Sequence, residues 1–433
     1  MRIDEAFSAP RQIKQKYRLS AEKMTLEDGT VLHRIVAVRD FGDVKKGDKG
    51  GWVESADNLS HDDNCWIYDE AKVYGEAQVY DNAQVRDNAI VAGKSKIFGN
   101  AIIREMAKIY EICKVYEDAH IFGNARVHGH YSEVHGDARV YGEAEVYGNA
   151  EIHEHASIYE NAKVYGQAVV RLAAKVYGNA KVYDYARVDT SANIFENAEV
   201  FGFAHVYGSA WISGNSKVYG SAVICHNALT SEDARVCGDA QVYGSAHIYG
   251  NAIVKDNAKV FDHARVFEDA RIEKEANIEG YGAICGKAIV YGGYVRGYVH
   301  DEAVIYGGII GPRSEISGNV RIENNVKVYE SKIFGGARIS GNAVISDKSK
   351  VFGNAKISGD AELLGATVLE DAVIRDNAYV EKSTIGGNAK ICDKARVIES
   401  EIGGRARIDE DFEVKNAKIY SGLDLADYLE EQL

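Results

Sequence analysis

An aliphatic residue returns at every sixth position from Ile67 to Val127, through Val73, Val79, Val85, Val91, Ile97, Ile103, Ile109, Val115 and Ile121. Four positions after each stands a small residue, nearly always alanine: Ala71, Ala77, Ala83, Ala89, Ser95, Ala101. The same two-beat pattern resumes at Val134 and runs to Val290, with Thr230 in one aliphatic slot. A unit this short offers too little apolar surface to exclude water alone, and it is stable only when stacked on copies of itself. The pattern predicts an all-β, single-stranded parallel solenoid. It overrides the two or three domains that a length of 433 residues otherwise suggests.

The unit Val140-Tyr-Gly-Glu-Ala-Glu145 shows what each slot does. Valine points inward from a short strand and tyrosine, one step on, points outward. Gly142 and Glu143 turn a corner, where glycine tolerates positive φ. Ala144 points inward where only a small side chain fits. Only two prolines occur, Pro10 and Pro312, as a long hydrogen-bonded ladder requires. The predicted organisation is a β-rich cap over residues 1–64, a solenoid over 65–420 and a capping helix over 421–433. In the cap, Leu26-Glu-Asp-Gly29 reads as a tight turn, and a glycine cluster at 47–51 precedes Trp52. Leu423, Ala426, Leu429 and Leu433 have helical spacing. Caps are expected because an open terminal coil exposes unpaired strand edges. The beat slips at 128–134, where one residue bulges out, and again at 290–312. From 363 onward shortened steps recur once per coil: Leu363 to Val368, Val380 to Ile385, Val397 to Ile402 and Val414 to Ile419. No alanine corner is expected on that side.

The net charge of −14 argues against nucleic acid and anionic membranes as partners. Six scattered cysteines, without a CxxC pair, suggest reduced structural thiols, and no metal site is expected. Met1 to Ser20 holds no apolar run of the signal-peptide kind, so a cytoplasmic protein is expected, bacterial or phage-encoded.

The alternation of an aliphatic and a small residue four positions on resembles the hexapeptide-repeat superfamily. Asp40-Phe-Gly-Asp-Val-Lys-Lys-Gly-Asp-Lys-Gly-Gly-Trp-Val-Glu-Ser55 and Asn58-Leu-Ser-His-Asp-Asp-Asn-Cys-Trp-Ile-Tyr-Asp-Glu-Ala71 are similar to the N-terminal region of the YdcK-like acyltransferases of bacteria and phages. The resemblance implies a left-handed β-helix of triangular coils, with three repeat units to a coil, and homo-oligomers of trimeric type. It also implies an acyl-CoA, such as acetyl-CoA, as cofactor if the chain is an enzyme. Two features depart from the enzymes of that superfamily. The slot after the aliphatic residue usually holds Tyr or Phe where they commonly have glycine, and no long loop leaves the repeat.

With three sides per coil, each unit stacks on the third unit before it. Tyr147, Tyr165, Tyr183, Phe201 and Tyr219 then form one aromatic column, and Tyr141, Tyr159, Tyr177 and Phe195 a second. They serve either as stacking within the fold or as a platform for another subunit, a glycan or a protein. The third side holds His135, His153, Arg171, Asp189 and Tyr207. His120 and His155 belong to it, and His128 and His130 flank the bulge. If there is chemistry, His130, His135 and His153 are the candidates for a general base; otherwise they form a solvated polar face. The carboxylates at Asp81, Asp87 and Glu117 are expected to pair weakly with neighbouring lysines. The leading expectation is a non-catalytic scaffold or binding protein without a cofactor. The alternatives are an acyl-CoA-dependent transferase, whose cofactor-binding residues the sequence does not assign, and a glycan-binding phage or surface-associated protein.

Overall fold

A computed structural model of the protein describes residues 15–421. The expected C-terminal helix lies outside the described residues. The chain divides into two compact units, Met1–Gly202 and Phe203–Leu433. Each is a parallel β-solenoid built mainly from strands of two or three residues.

The first unit opens with three longer strands, β1 (Tyr17–Thr25), β2 (Val31–Ala37) and β3 (Lys49–Val53). β1 and β2 pair antiparallel across the Leu26–Gly29 turn, and β3 pairs antiparallel with β2. β3 then pairs parallel with Lys72–Val73, so the cap hands its register directly to a face of the solenoid. Glycine is required here for close approach. A Cβ on Gly50 would lie 2.5 Å from the Trp66 ring, and one on Gly51 would lie 2.5 Å from the Ala71 carbonyl oxygen. Lys16, in the cap, is buried where the cap meets the solenoid, with Nζ donating to the carbonyls of Cys65 at 2.8 Å and Asp62 at 3.0 Å.

Beyond the cap, strands fall on three faces in turn. Ile90–Val91 pairs with Lys72–Val73 and Lys108–Ile109, Lys96–Ile97 with Gln78–Val79 and Lys114–Val115, and Ile102–Ile103 with Gln84–Val85 and His120–Ile121. Partners lie one full coil of three repeat units apart, as the period requires. The aliphatic and alanine slots are closed to solvent: Val164, Ala168, Val170 and Ala174 are all 0% exposed. Outward residues carry the ladder, as when the Lys108 amide donates to the Ala125 carbonyl at 2.9 Å. At 128–134 the expected extra residue appears, since Lys114 pairs with Glu133 where an unbroken period would bring up Ser132. Gly129 takes it up at φ +109°, while Ser132 fills the alanine slot and donates to the His128 carbonyl at 2.7 Å.

In the second unit strands again fall on three faces, but coil length changes. Ala283 pairs with Tyr298, Ile289 with Val304 and Tyr294 with Ile309, where full coils would bring up Asp301, Gly307 and Pro312. Later partners on one face, Glu362, Tyr379 and Arg396, follow each other one position short of a full coil. These shortened coils keep a small buried residue at the tighter corner, contrary to expectation. It stands three positions after the aliphatic residue, as Ala366, Ser383 and Ser400. A tighter corner turns earlier, so the inward position moves with it. Thr230 occupies its aliphatic slot fully buried, and its hydroxyl has no hydrogen-bond partner. No helix among the described residues is long and apolar enough to cross a membrane.

Candidate functional site

The third residue of each six turns the corner at positive φ, whether it is Gly142 at +72°, Asp81 at +54° or Glu105 at +61°. A side chain with a Cβ is strained there. At most acidic corners the carboxylate accepts the amide of the corner residue one coil on. Asp81 takes Gly99 at 3.1 Å, Glu105 takes Gly123 at 2.9 Å and Glu268 takes Gly286 at 2.7 Å. The hydrogen bond offsets the backbone strain. The amide of Gly318, with His300 as a lesser cause, holds Asp301 below the usual carboxylate range. The corner carboxylates Asp81, Asp87 and Glu117 therefore bind backbone amides, and the expected pairing with lysines is not their main contact.

The aromatic slot forms continuous columns within the first unit. One runs Tyr110, His128, Tyr147, Tyr165, Tyr183, Phe201, with ring centroids 4.7–5.1 Å apart and planes within 8° of parallel. A second runs Phe122, Tyr141, Tyr159, Tyr177, Phe195 at 4.8–5.1 Å. Guanidinium planes fill ring slots nearer the cap, with Arg104 4.7 Å from the Phe122 ring and Arg86 4.0 Å from Tyr68. The rings are half-buried by one another. That desolvation, with the neighbouring phenols, pushes Tyr159 up to about 12; Tyr165 and Tyr183 shift alike. Tyr219 belongs to the second unit.

The third column explains the histidines. Tyr80, Phe98, Tyr116, His135 and His153 stack at 4.6–5.0 Å, and Arg171 continues the slot by binding Asp189 at 2.6 Å. His135 and His153 are thus brought together as stacked rings. Burial, then the His135 ring beside it, lowers the His153 pKa. His130 stands apart on the bulge, exposed and outside that stack. His120 and His155 share a shallow groove of about 500 Å³ in which His155 Nδ1 lies 3.0 Å from Asp137. Among the described residues no group of three or more His, Cys, Asp or Glu is arranged to hold a metal. All six cysteines are free.

Two further concavities lie in the second unit. Two adjoining cavities of about 760 and 750 Å³ share Gly293, Tyr294 and Tyr306 and form one trough. Its origin is local. The corners through Gly292–Gly293 and Gly307–Gly308 each hold one residue fewer than their neighbours, so they recede between the full-length corners around Lys274 and Asn324. Gly308 has φ +90°, and a Cβ there would lie 2.3 Å from the Val326 carbonyl oxygen. Tyr291 stacks on Tyr306 at 5.1 Å, and Lys274 Nζ lies 5.0 Å from the Tyr291 ring. The disturbed spacing near 290–312 marked this place in the sequence, but a concavity also depends on the coils to either side.

Fold and surface define a class: a parallel β-solenoid with outward aromatic columns and a recessed trough among its described residues. No protein-family model matches the chain. It is similar to the Escherichia coli (strain K12) protein described as "Uncharacterized acetyltransferase YdcK", at 44% identity over 63 residues. That stretch is 13% of this chain and 19% of the relative, so the chain spans less than a fifth of the relative's length.

Proposed function

We propose that the protein is a scaffold that works by binding, with the aromatic columns of its first unit packing against further copies of the chain. The observation that supports this reading is the continuity of the columns. From Tyr110 to Phe201 no ring slot is interrupted, and each ring holds its neighbours in near-parallel planes. A rigid aromatic strip loses little conformational entropy on docking and buries much apolar surface. Left-handed winding and a trimer, both implied by the hexapeptide-repeat resemblance, belong to the same reading, as does a bacterial or phage cytoplasm. In light scattering the full chain is expected to run at a multiple of its 47.4 kDa. Tyr165→Ser with Tyr183→Ser is expected to lower that mass while the β-sheet circular dichroism persists. A monomeric parent, or an unchanged mass in the variant, defeats the proposal.

A second reading, acyl transfer from acetyl-CoA, is favoured by the 63-residue match to a protein named as an acetyltransferase. In it His135 or His153 would take a proton from an acceptor hydroxyl or amine. Their ring stacking, at 5.0 Å and 3° between planes, is equally explained by packing within the column.

A further inference from the structure

We propose that the trough beside Tyr294 and Tyr306 is a binding site for an acidic oligosaccharide. This goes beyond the scaffold reading and does not depend on it. Both rings are open to solvent, at 51% and 46% exposed, where the column rings of the first unit are half-buried. An exposed tyrosine ring offers a flat apolar face with a polar rim, which suits the C–H face of a sugar. Around the rings the walls are rich in amides: Asn257 and Asn277 on one side, Asn324 and Asn325 on the other. An asparagine amide donates and accepts from one group, as neighbouring sugar hydroxyls do.

Charge selects the class of sugar. Lys259, Lys274 and Lys327 line the trough, against one lining carboxylate, Glu275. None of the three ammonium groups has a carboxylate at ion-pair distance among the described residues, although the chain as a whole is acidic. Lys259 and Lys327 lie on one face with Asn277, Tyr294 and Ile309 between them in register. Four strand spacings put them ~19 Å apart. Charges spread along such a length fit a chain with carboxylates on separate sugar rings better than a compact phosphate cluster. A phosphate at every step would also meet more repulsion from a protein of net charge −14.

The test is an array of neutral, uronate-bearing and sialylated oligosaccharides probed with the full chain, alongside polythymidylate and acetyl-CoA. Retention of an acidic oligosaccharide is expected, without retention of its neutral counterpart. Tyr306→Ala and Lys327→Ala are each expected to weaken it by about tenfold. Both positions are on the surface of the second unit, so the oligomeric mass is expected to stay unchanged in these variants, and the two proposals can fail separately. The inference is overturned if no acidic oligosaccharide is retained, if both variants bind as the parent does, or if Lys327→Ala affects only polythymidylate or acetyl-CoA.

Discussion

Individual residues show how little freedom so short a repeat leaves. Thr230 is the one polar residue in an aliphatic slot of the middle region, and its buried hydroxyl lacks a partner. Replacing it with valine keeps the shape and removes that penalty. Thr230→Val is expected to raise unfolding stability by about 1 kcal/mol in chemical denaturation. Gly308→Ala is expected to act in the opposite sense, because positive φ and the nearby Val326 carbonyl leave its Cβ no room. A loss of about 2 kcal/mol or more is expected, read as a lower midpoint. The inward valines and alanines were legible from the period alone. The carboxylate caps at the corners were not. Asp81 and Gly99 are a whole coil apart in sequence, and their hydrogen bond exists only once the pitch of the coil places one above the other.

Columns and corners are the elements that spacing could and could not foretell. Stacking of Tyr147, Tyr165 and Tyr183 followed from a coil of three repeat units, and so did the shared side of His135 and His153. What the spacing left open was whether those histidines stood free in solvent; the rings instead continue the Tyr116 column. The trough was announced only as a disturbed beat, since its depth depends on longer corners in the flanking coils. The columns carry a pH signature. Desolvation pushes Tyr159, Tyr165 and Tyr183 up to about 12. These phenols are above their unfolded value, so the unfolded chain releases their protons first. Their contribution is whole below the usual tyrosine range near pH 10 and is lost as pH rises toward about 12. Phenolate absorbance is expected to show a class of tyrosines titrating late, together with loss of β-sheet signal. Ionisation of all tyrosines near the ordinary value, with the fold intact, would contradict this.

At the scale of the whole molecule the repeat separates stability from function. Interior slots are nearly uniform in kind, so function has to be sought in outward slots and in departures from the beat. The outward slots form stacked columns, and the shortened corners near Gly293 and Gly308 form a polar, aromatic trough. We propose that this surface binds partners and does not transfer an acyl group. Calorimetric titration of the full chain with acetyl-CoA, followed by an assay for released CoA thiol, tests it most directly. No saturable heat at millimolar ligand and no thiol above background are expected. Saturable binding with turnover that disappears in His135→Ala or His153→Ala would contradict it.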